Sequence, residues 1–200
     1  MVYIDDIIVY SETIEEHTQH LKQAFDTSIN FLGHTVSNGE IKPSEEKIEA
    51  IKSCKQPENV EQILAFIGMA SHYRKFIKHF AKKASPLHEL CAKNVKFNSD
   101  EKCQDAFDQL KNALTSESVL MIPDFEKRFY LETDASNKGI GAVLSQMDEN
   151  NQLRPIAYYS RKLSKSEQNY SASEKEMLAI VNAIKELQGI PLWYRVYSHH

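Results

Sequence analysis

Arg128-Phe-Tyr-Leu-Glu-Thr-Asp-Ala-Ser136, followed by Asn137-Lys-Gly-Ile-Gly-Ala-Val-Leu-Ser145, is the stretch on which the reading of the chain turns. Phe129, Leu131 and Thr133 alternate with Tyr130, Glu132 and Asp134, the period-2 pattern of a half-buried strand. Asn137-Lys138-Gly139 supplies turn chemistry, because Asn and Gly tolerate positive φ. Ile140, Ala142 and Leu144 then line one face of a returning strand, with small Gly141 among them. The first strand therefore delivers the carboxylate of Asp134 to the rim of a sheet, where hard oxygen ligands suit a divalent cation. The plainer alternative is that Asp134 only opens the turn, and this stretch alone leaves both open.

Composition sets the outer bounds. Two hundred residues allow one or two domains, and 42% hydrophobic with 26% charged residues is ordinary for a globular chain. The net charge of −4 argues against a generic nucleic-acid binder, yet a local basic face can hide inside an acidic total. Cys54, Cys91 and Cys103 are odd in number and lack C-x-x-C spacing, which suits reduced thiols and an intracellular setting. The N-terminal Met1-Val-Tyr-Ile-Asp-Asp6 has no basic region and no long apolar run, so neither a signal peptide nor a membrane span is expected.

Outward from the central stretch, three further regions carry signal. Val2-Tyr-Ile-Asp-Asp-Ile-Ile-Val-Tyr10 is β-rich with two adjacent acids, and burying unpaired carboxylates in an apolar strand is costly. The acids are therefore expected in a hairpin turn between two short strands, where only one of the two can face a metal directly and an ordinary Asp-Asp turn is the alternative. Pro43 and Ser44 open a helix that Pro57 stops, with Glu45 and Glu46 favouring its positive end. A second helix follows Asn59, with Gln62 in capping-box position. Its apolar face is Ile63, Phe66, Ile67, Ala70, Tyr73, Ile77 and Phe80, and Gly68 allows a bend or a close neighbour. Between His72 and Lys83 the charges are Arg74, Lys75, Lys78, Lys82 and Lys83, with no acid: a solvated helix face or a track for phosphates. Pro86 to Asn98 reads as a polar connection, and Ser99 to Leu114 as another amphipathic helix.

The last region reads as strands over 128–135, 140–146 and 155–160, then a helix from about 172 to 187. Met177, Ile180, Val181, Ile184 and Leu187 are its expected buried stripe. Ser171 with Glu174, or Ser173 with Glu176, fits a capping box. If Ser171 caps, Glu176 is free to approach Asp134 from the margin of the stripe. Three strands would leave an unpaired edge and poor solubility.

The wording of these stretches resembles one family. Thr133-Asp-Ala-Ser136 with Gly139-Ile-Gly-Ala-Val-Leu144 resembles the start of the ribonuclease H domain of gypsy-type LTR-retrotransposon Pol polyproteins. Tyr3-Ile4-Asp5-Asp6 resembles the Y-x-D-D box of reverse transcriptases, and Leu64-Ala-Phe-Ile-Gly-Met-Ala-Ser-His-Tyr-Arg-Lys-Phe-Ile77 the thumb signature. Tyr170-Ser-Ala-Ser-Glu-Lys-Glu-Met-Leu-Ala-Ile-Val181 is similar to the helix carrying the ribonuclease H glutamate, and Phe31-Leu32-Gly33 to the primer grip. The resemblance covers about residues 1 to 187.

It implies an α+β to α/β chain in four parts: a partial palm hairpin region (1–42), a helical thumb (43–96), a connecting helix or tether (97–123), and an incomplete ribonuclease H-like mixed sheet with a packed helix (124–200). It implies Mg²⁺, with Mn²⁺ as a substitute, held by Asp5 and Asp6 for polymerisation and by Asp134 and Glu176 for cleavage of RNA in an RNA–DNA hybrid. The implied partner is that hybrid or a primer–template duplex, contacted by Phe31, Gly33, Arg74, Lys75, Lys78, Lys82 and Lys83. The palm segment between Phe25 and Phe31 reads as shortened, and no carboxylate follows Leu187 where the family carries its third acid. A truncated enzyme with weak or no turnover is the expectation; a non-catalytic module binding nucleic acid or protein is the alternative.

Overall fold

The structure is a computed structural model that describes residues 2–3, 6–7, 10–26, 28–92, 97, 101–116, 119–187 and 196–198. The chain opens with β1 (Val2–Tyr3) and β2 (Asp6–Ile7), antiparallel, with Tyr3 opposite Asp6. Helix α1 (Ile14–Asp26) follows, its Glu16 amide donating to the Thr13 hydroxyl at 3.2 Å. Then comes a meander of β3 (Ile29–Phe31), β4 (His34–Ser37) and β5 (Glu40–Pro43). Its turns are Leu32-Gly33, with φ of 47° and 76°, and Asn38-Gly39, with φ of 50° and 73°. Two positive φ values in a two-residue turn match the twist of the flanking strands.

The helical part departs from the sequence reading at its ends. In α2 (Glu45–Ser53) Ser44 holds the N-cap position, but its side chain makes no capping bond. Helix α3 (Val60–His72) is capped as expected, the Asn59 side chain accepting from the Gln62 amide at 2.9 Å. The expected continuous apolar face through Phe80 is instead broken. A 3-10 turn spans Arg74–Phe76, His79 adopts a left-handed φ of 57°, and α4 (Phe80–Leu90) begins. All seven predicted apolar residues are nonetheless buried. The break frees the first amides of a new helix, and Ala81 donates its N–H to the Ser160 hydroxyl at 2.9 Å. Pro86, expected in a connection, sits inside α4, where buried Ala84, Leu87 and Leu90 hold the helix despite the missing donor. A Cβ added at Gly68 would meet nothing within 4 Å, so no close helix contact explains this glycine.

Helix α5 (Glu101–Thr115) buries Phe107, Leu110 and Leu114 against the same core as Phe66 and Ile51. Strand β6 (Leu120–Met121) then adds to β5, Leu120 opposite Ile41. The chain enters its final sheet past Gln146, fully buried, which accepts from the Asp124 amide at 2.9 Å and donates to the Asp124 carbonyl at 2.7 Å.

That sheet holds β7 (Phe129–Ala135), β8 (Gly139–Met147) and β9 (Leu153–Lys162), covered by α6 (Ala172–Glu186) and extended by β10 (Val196–Ser198). The order is β10-β7-β8-β9, with β10 parallel to β7 and the other pairs antiparallel. The sequence reading held three strands and an unpaired edge; a fourth strand, β10, lies along β7. The chain is thus a mixed α+β fold, and no helix among the described residues is long and apolar enough to cross a membrane.

Two local expectations are corrected here. The 136–139 turn uses no positive φ. The Ser136 hydroxyl instead accepts from the Gly139 amide at 3.1 Å and donates to its carbonyl at 2.9 Å. Gly139 is needed for space, since a Cβ there would sit 2.9 Å from the Arg161 carbonyl oxygen. The buried stripe of α6 is also displaced: Lys175, Ala179, Ala183 and Leu187 face the sheet, while Met177, Val181 and Ile184 are exposed. Small alanines let the helix lie close to Leu131, Ile140 and Leu144, and its larger apolar residues turn outward. The capping box is the Ser171–Glu174 one, with both of its bonds present.

Candidate nucleic-acid interface

Strand alternation assigns the two faces of the sheet different tasks. Phe129, Leu131, Ile140, Leu144 and Ala157 face α6. Glu132 and Asp134 are exposed and belong to the other set, in register with Val143 and Gly141. There they line a cavity of about 210 Å³ with Lys78, His79, Gly141 and Tyr159. His79 reaches this place because of its left-handed backbone at the start of α4. Its Nδ1 is 3.5 Å from where a Cβ on Gly141 would be. Burial pushes the His79 pKa below the usual imidazole value, Lys78 adds to this, and Asp134 pulls the other way.

Glu176 is not among the residues lining that cavity. It is exposed on α6, one residue past buried Lys175, whose Nζ donates to the Asn137 side-chain oxygen at 3.1 Å. The structure therefore brings Asp134 together with Glu132, Lys78 and His79. Asp5 lies outside the described residues, and Asp6 is placed by its backbone pairing with Tyr3. Among the described residues no group of three or more His, Cys, Asp or Glu could hold a metal ion. Two carboxylates faced by a lysine and an imidazole do not fit Mg²⁺, which wants several well-placed oxygens.

Gly33 is explained by its contacts. Its φ is 76°, and a Cβ there would come within 2.8 Å of the Tyr73 hydroxyl. Its carbonyl accepts from that hydroxyl at 3.1 Å and from the Ser44 amide at 2.9 Å. Burial, then nearby Glu46, raises the Tyr73 pKa. Behind the turn, the His34 ring lies 5.4 Å from that of Tyr73 and 5.5 Å from that of Phe76, a cluster the sequence reading missed. Phe31 precedes the turn as the last residue of β3, opposite His34.

Of the basic run, Arg74, Lys75, Lys78 and Lys82 are exposed and Lys83 is half-buried. Burial lowers the pKa of Lys75 and Lys83, and Lys75 Nζ lies 5.4 Å from the centre of the Phe76 ring. Among the described residues none of the five forms an ion pair with an acid. His79 and Glu132 escaped the sequence reading as site residues. Glu132 stood in the quoted strand with the right alternation to accompany Asp134, whereas nothing local shows that His79 meets Gly141.

The site thus sets a helical segment against the open face of a four-stranded mixed sheet. The family model described as an RNase H-like domain found in reverse transcriptase matches residues 100–192. The retrovirus-related Pol polyprotein from transposon opus of Drosophila melanogaster is 40% identical over 94% of this chain and 22% of its own length. The Pol polyprotein from transposon gypsy of the same species is 38% identical over 94% of this chain and 21% of its length, and the Tf2-3 polyprotein of Schizosaccharomyces pombe 34% over 92% and 15%. The foamy viral protease–reverse transcriptase in complex with RNA/DNA hybrid shares the fold, with a TM-score of 0.75 at 21% identity, covering 99% of this chain and 29% of that one. A related foamy viral structure with double-stranded DNA gives 0.77 at 20%, covering 99% and 38%.

The chain belongs to the gypsy-type retrotransposon Pol polyproteins, as a piece of their reverse transcriptase and RNase H-like region. It spans about a fifth of the length of the Drosophila relatives. The alignment with opus runs over 217 positions but uses 94% of 200 residues, so this chain is shorter than opus inside the matched span.

Proposed function

We propose that this chain holds duplex nucleic acid, an RNA–DNA hybrid or a primer–template, on the basic face of its helical segment, and does not by itself turn over substrate. The observation that carries this reading is the run of Arg74, Lys75, Lys78, Lys82 and Lys83 on an acidic chain, unpaired with acids among the described residues. Phosphate contacts of this kind position a duplex without reading its bases. Phe31 and Gly33 are assigned to the same surface, since the turn that contains Gly33 is bonded to Tyr73 at the end of α3. In domain terms, 1–42 and 43–96 supply the palm end and thumb, 97–123 joins them to the last unit, and 124–200 is the RNase H-like domain.

The family's chemistry is assigned here only to residues. By resemblance, Asp134 and Glu176 take the places of the RNase H-type carboxylates and Asp5 and Asp6 those of the polymerase-type pair, but Asp134 beside Lys78 and His79 does not fit Mg²⁺. Support for the duplex also comes from foamy viral relatives in fold that were solved with double-stranded DNA and with RNA/DNA hybrid.

Two measurements test the reading. Hybrid binding is titrated against salt for the wild type and for Lys78→Gln/Lys82→Gln; the double variant is expected to bind more weakly with a shallower salt slope. Equal curves would remove the proposed surface. Hybrid cleavage with Mg²⁺ or Mn²⁺ is then compared with Asp134→Asn, with no difference expected. Strong Asp134-dependent cleavage would show that the chain is an active nuclease.

A further inference from the structure

Two lysines of the RNase H-like sheet are carried to the flank of α4 by the fold. Lys138 sits in the turn between β7 and β8, and Lys162 ends β9; both are exposed. Gly139 pairs with Lys162 in the ladder, and the Leu163 amide donates to the Lys138 carbonyl at 2.9 Å, so the two lysines are neighbours. This closeness depends on Gly139, whose missing Cβ leaves room for the Arg161 carbonyl. Lys162 Nζ in turn lies 3.4 Å from the Ser85 hydroxyl and 3.5 Å from Glu89 of α4. Lys82, Ser85 and Glu89 follow one another at spacings of three and four, one line along that helix, and Lys78 lies just ahead of its first turn.

We propose that Lys138 and Lys162 continue the thumb's phosphate track, so that one band from Lys78 and Lys82 to Lys138 and Lys162 follows the backbone of a bound duplex past Asp134. This rests on the duplex-binding reading above and adds the sheet's residues to it. Three separated segments converge to build the band on a chain whose net charge is −4. Glu89 is the acid that interrupts it. The Ser85 hydroxyl first, then Lys162 and Lys138, hold its carboxyl below the usual range, so it stays charged and partly neutralises Lys162. A duplex phosphate arriving at Lys162 would have to compete with that carboxylate.

The test is the salt dependence of binding to a short RNA–DNA hybrid by the full chain. Each phosphate-contacting lysine adds about 0.9 to the slope of log affinity against log salt, about tenfold in affinity at 0.1 M salt. Lys138→Gln/Lys162→Gln is expected to lower the slope by nearly 2, while Lys185→Gln, exposed on α6 across the sheet, changes nothing. Glu89→Gln is expected to tighten binding several-fold, a direction that a merely structural ion pair would not give. All of these residues are exposed, and circular dichroism checks that the variants fold. If Lys78→Gln/Lys82→Gln weakens binding but Lys138→Gln/Lys162→Gln does not, the band ends at the thumb and this inference fails alone. Equal loss from Lys185→Gln would also overturn it, as an effect of net charge. If the wild type shows no salt-dependent binding, the duplex reading fails with it.

Discussion

The two faces of the β7–β9 sheet are built from alternate residues of the same strands, yet they solve different problems. The face toward α6 is closed by Phe129, Leu131, Ile140 and Leu144 against Ala179 and Ala183. The face toward the helical segment keeps Glu132 and Asp134 at a cavity and is joined to α4 by a hydroxyl, an imidazole over a glycine, and a lysine–glutamate pair. The difference teaches that period 2 carries two instructions in one strand. One set of side chains stabilises the fold by burial, and the other stays out of that core and lines the cavity.

The largest effect should therefore fall on the α6 face. Leu144→Ala, at a fully buried site, is expected to lose about 2–5 kcal/mol in urea unfolding, whereas Val181→Ser on the outer side of α6 stays within about 0.5 kcal/mol. Comparable losses would mean that the helix is turned the other way. Next comes Gly139→Ala, expected to cost about 1–3 kcal/mol because its Cβ would meet backbone rather than a yielding side chain. Gly68→Ala, in open space on α3, should stabilise by about 1 kcal/mol, and a thermal melt of the pair reads both signs. On the other face Ser160→Ala removes the acceptor of the Ala81 amide, with an expected loss of about 1 kcal/mol and faster hydrogen exchange at Ala81. Unchanged exchange there would separate the helix from the sheet.

The smallest effect is a pH dependence. Arg161 first, then Ser164, hold the half-buried Glu167 carboxyl down at about 2, against an ordinary 4.5. A depressed folded value means that its contribution is complete above 4.5 and is lost as pH falls toward 2. Glu167→Gln should flatten the stability curve in that window and leave it unchanged near neutrality, and a curve of unaltered shape would remove the Arg161 pairing from the account.

Much of this was legible because it is local. Phe129 to Leu144 announced a hairpin by alternation, Ser171 and Glu174 a helix start, and Asn59 with Gln62 another. The Asn38-Gly39 turn was equally plain in the sequence, though it took the structure to draw attention to it. What local pattern cannot supply is the partner of each face. Met177, Val181 and Ile184 form a persuasive apolar stripe, yet the sheet takes the side with Ala179 and Ala183, because closeness of backbone decided the contact and hydrophobicity did not. The break at His79 and the fourth strand β10 depend on residues about 80 and 65 positions away, Ser160 and Phe129 to Leu131, and no window of sequence contains both ends. The candidate residues follow the same rule: Asp134 and the basic run stand out in the sequence, but that Asp134 lines a cavity with Lys78 and His79, and that Lys162 reaches Glu89, shows only after folding.

The carbonyl of Gly33 gathers three segments on one oxygen: the tip between β3 and β4, the amide of Ser44 ahead of α2, and the phenol of Tyr73 at the end of α3. Such a knot makes the hairpin tip a rigid extension of the helical body. A tilt of α3 would carry the tip with it, as the far arm of a lever.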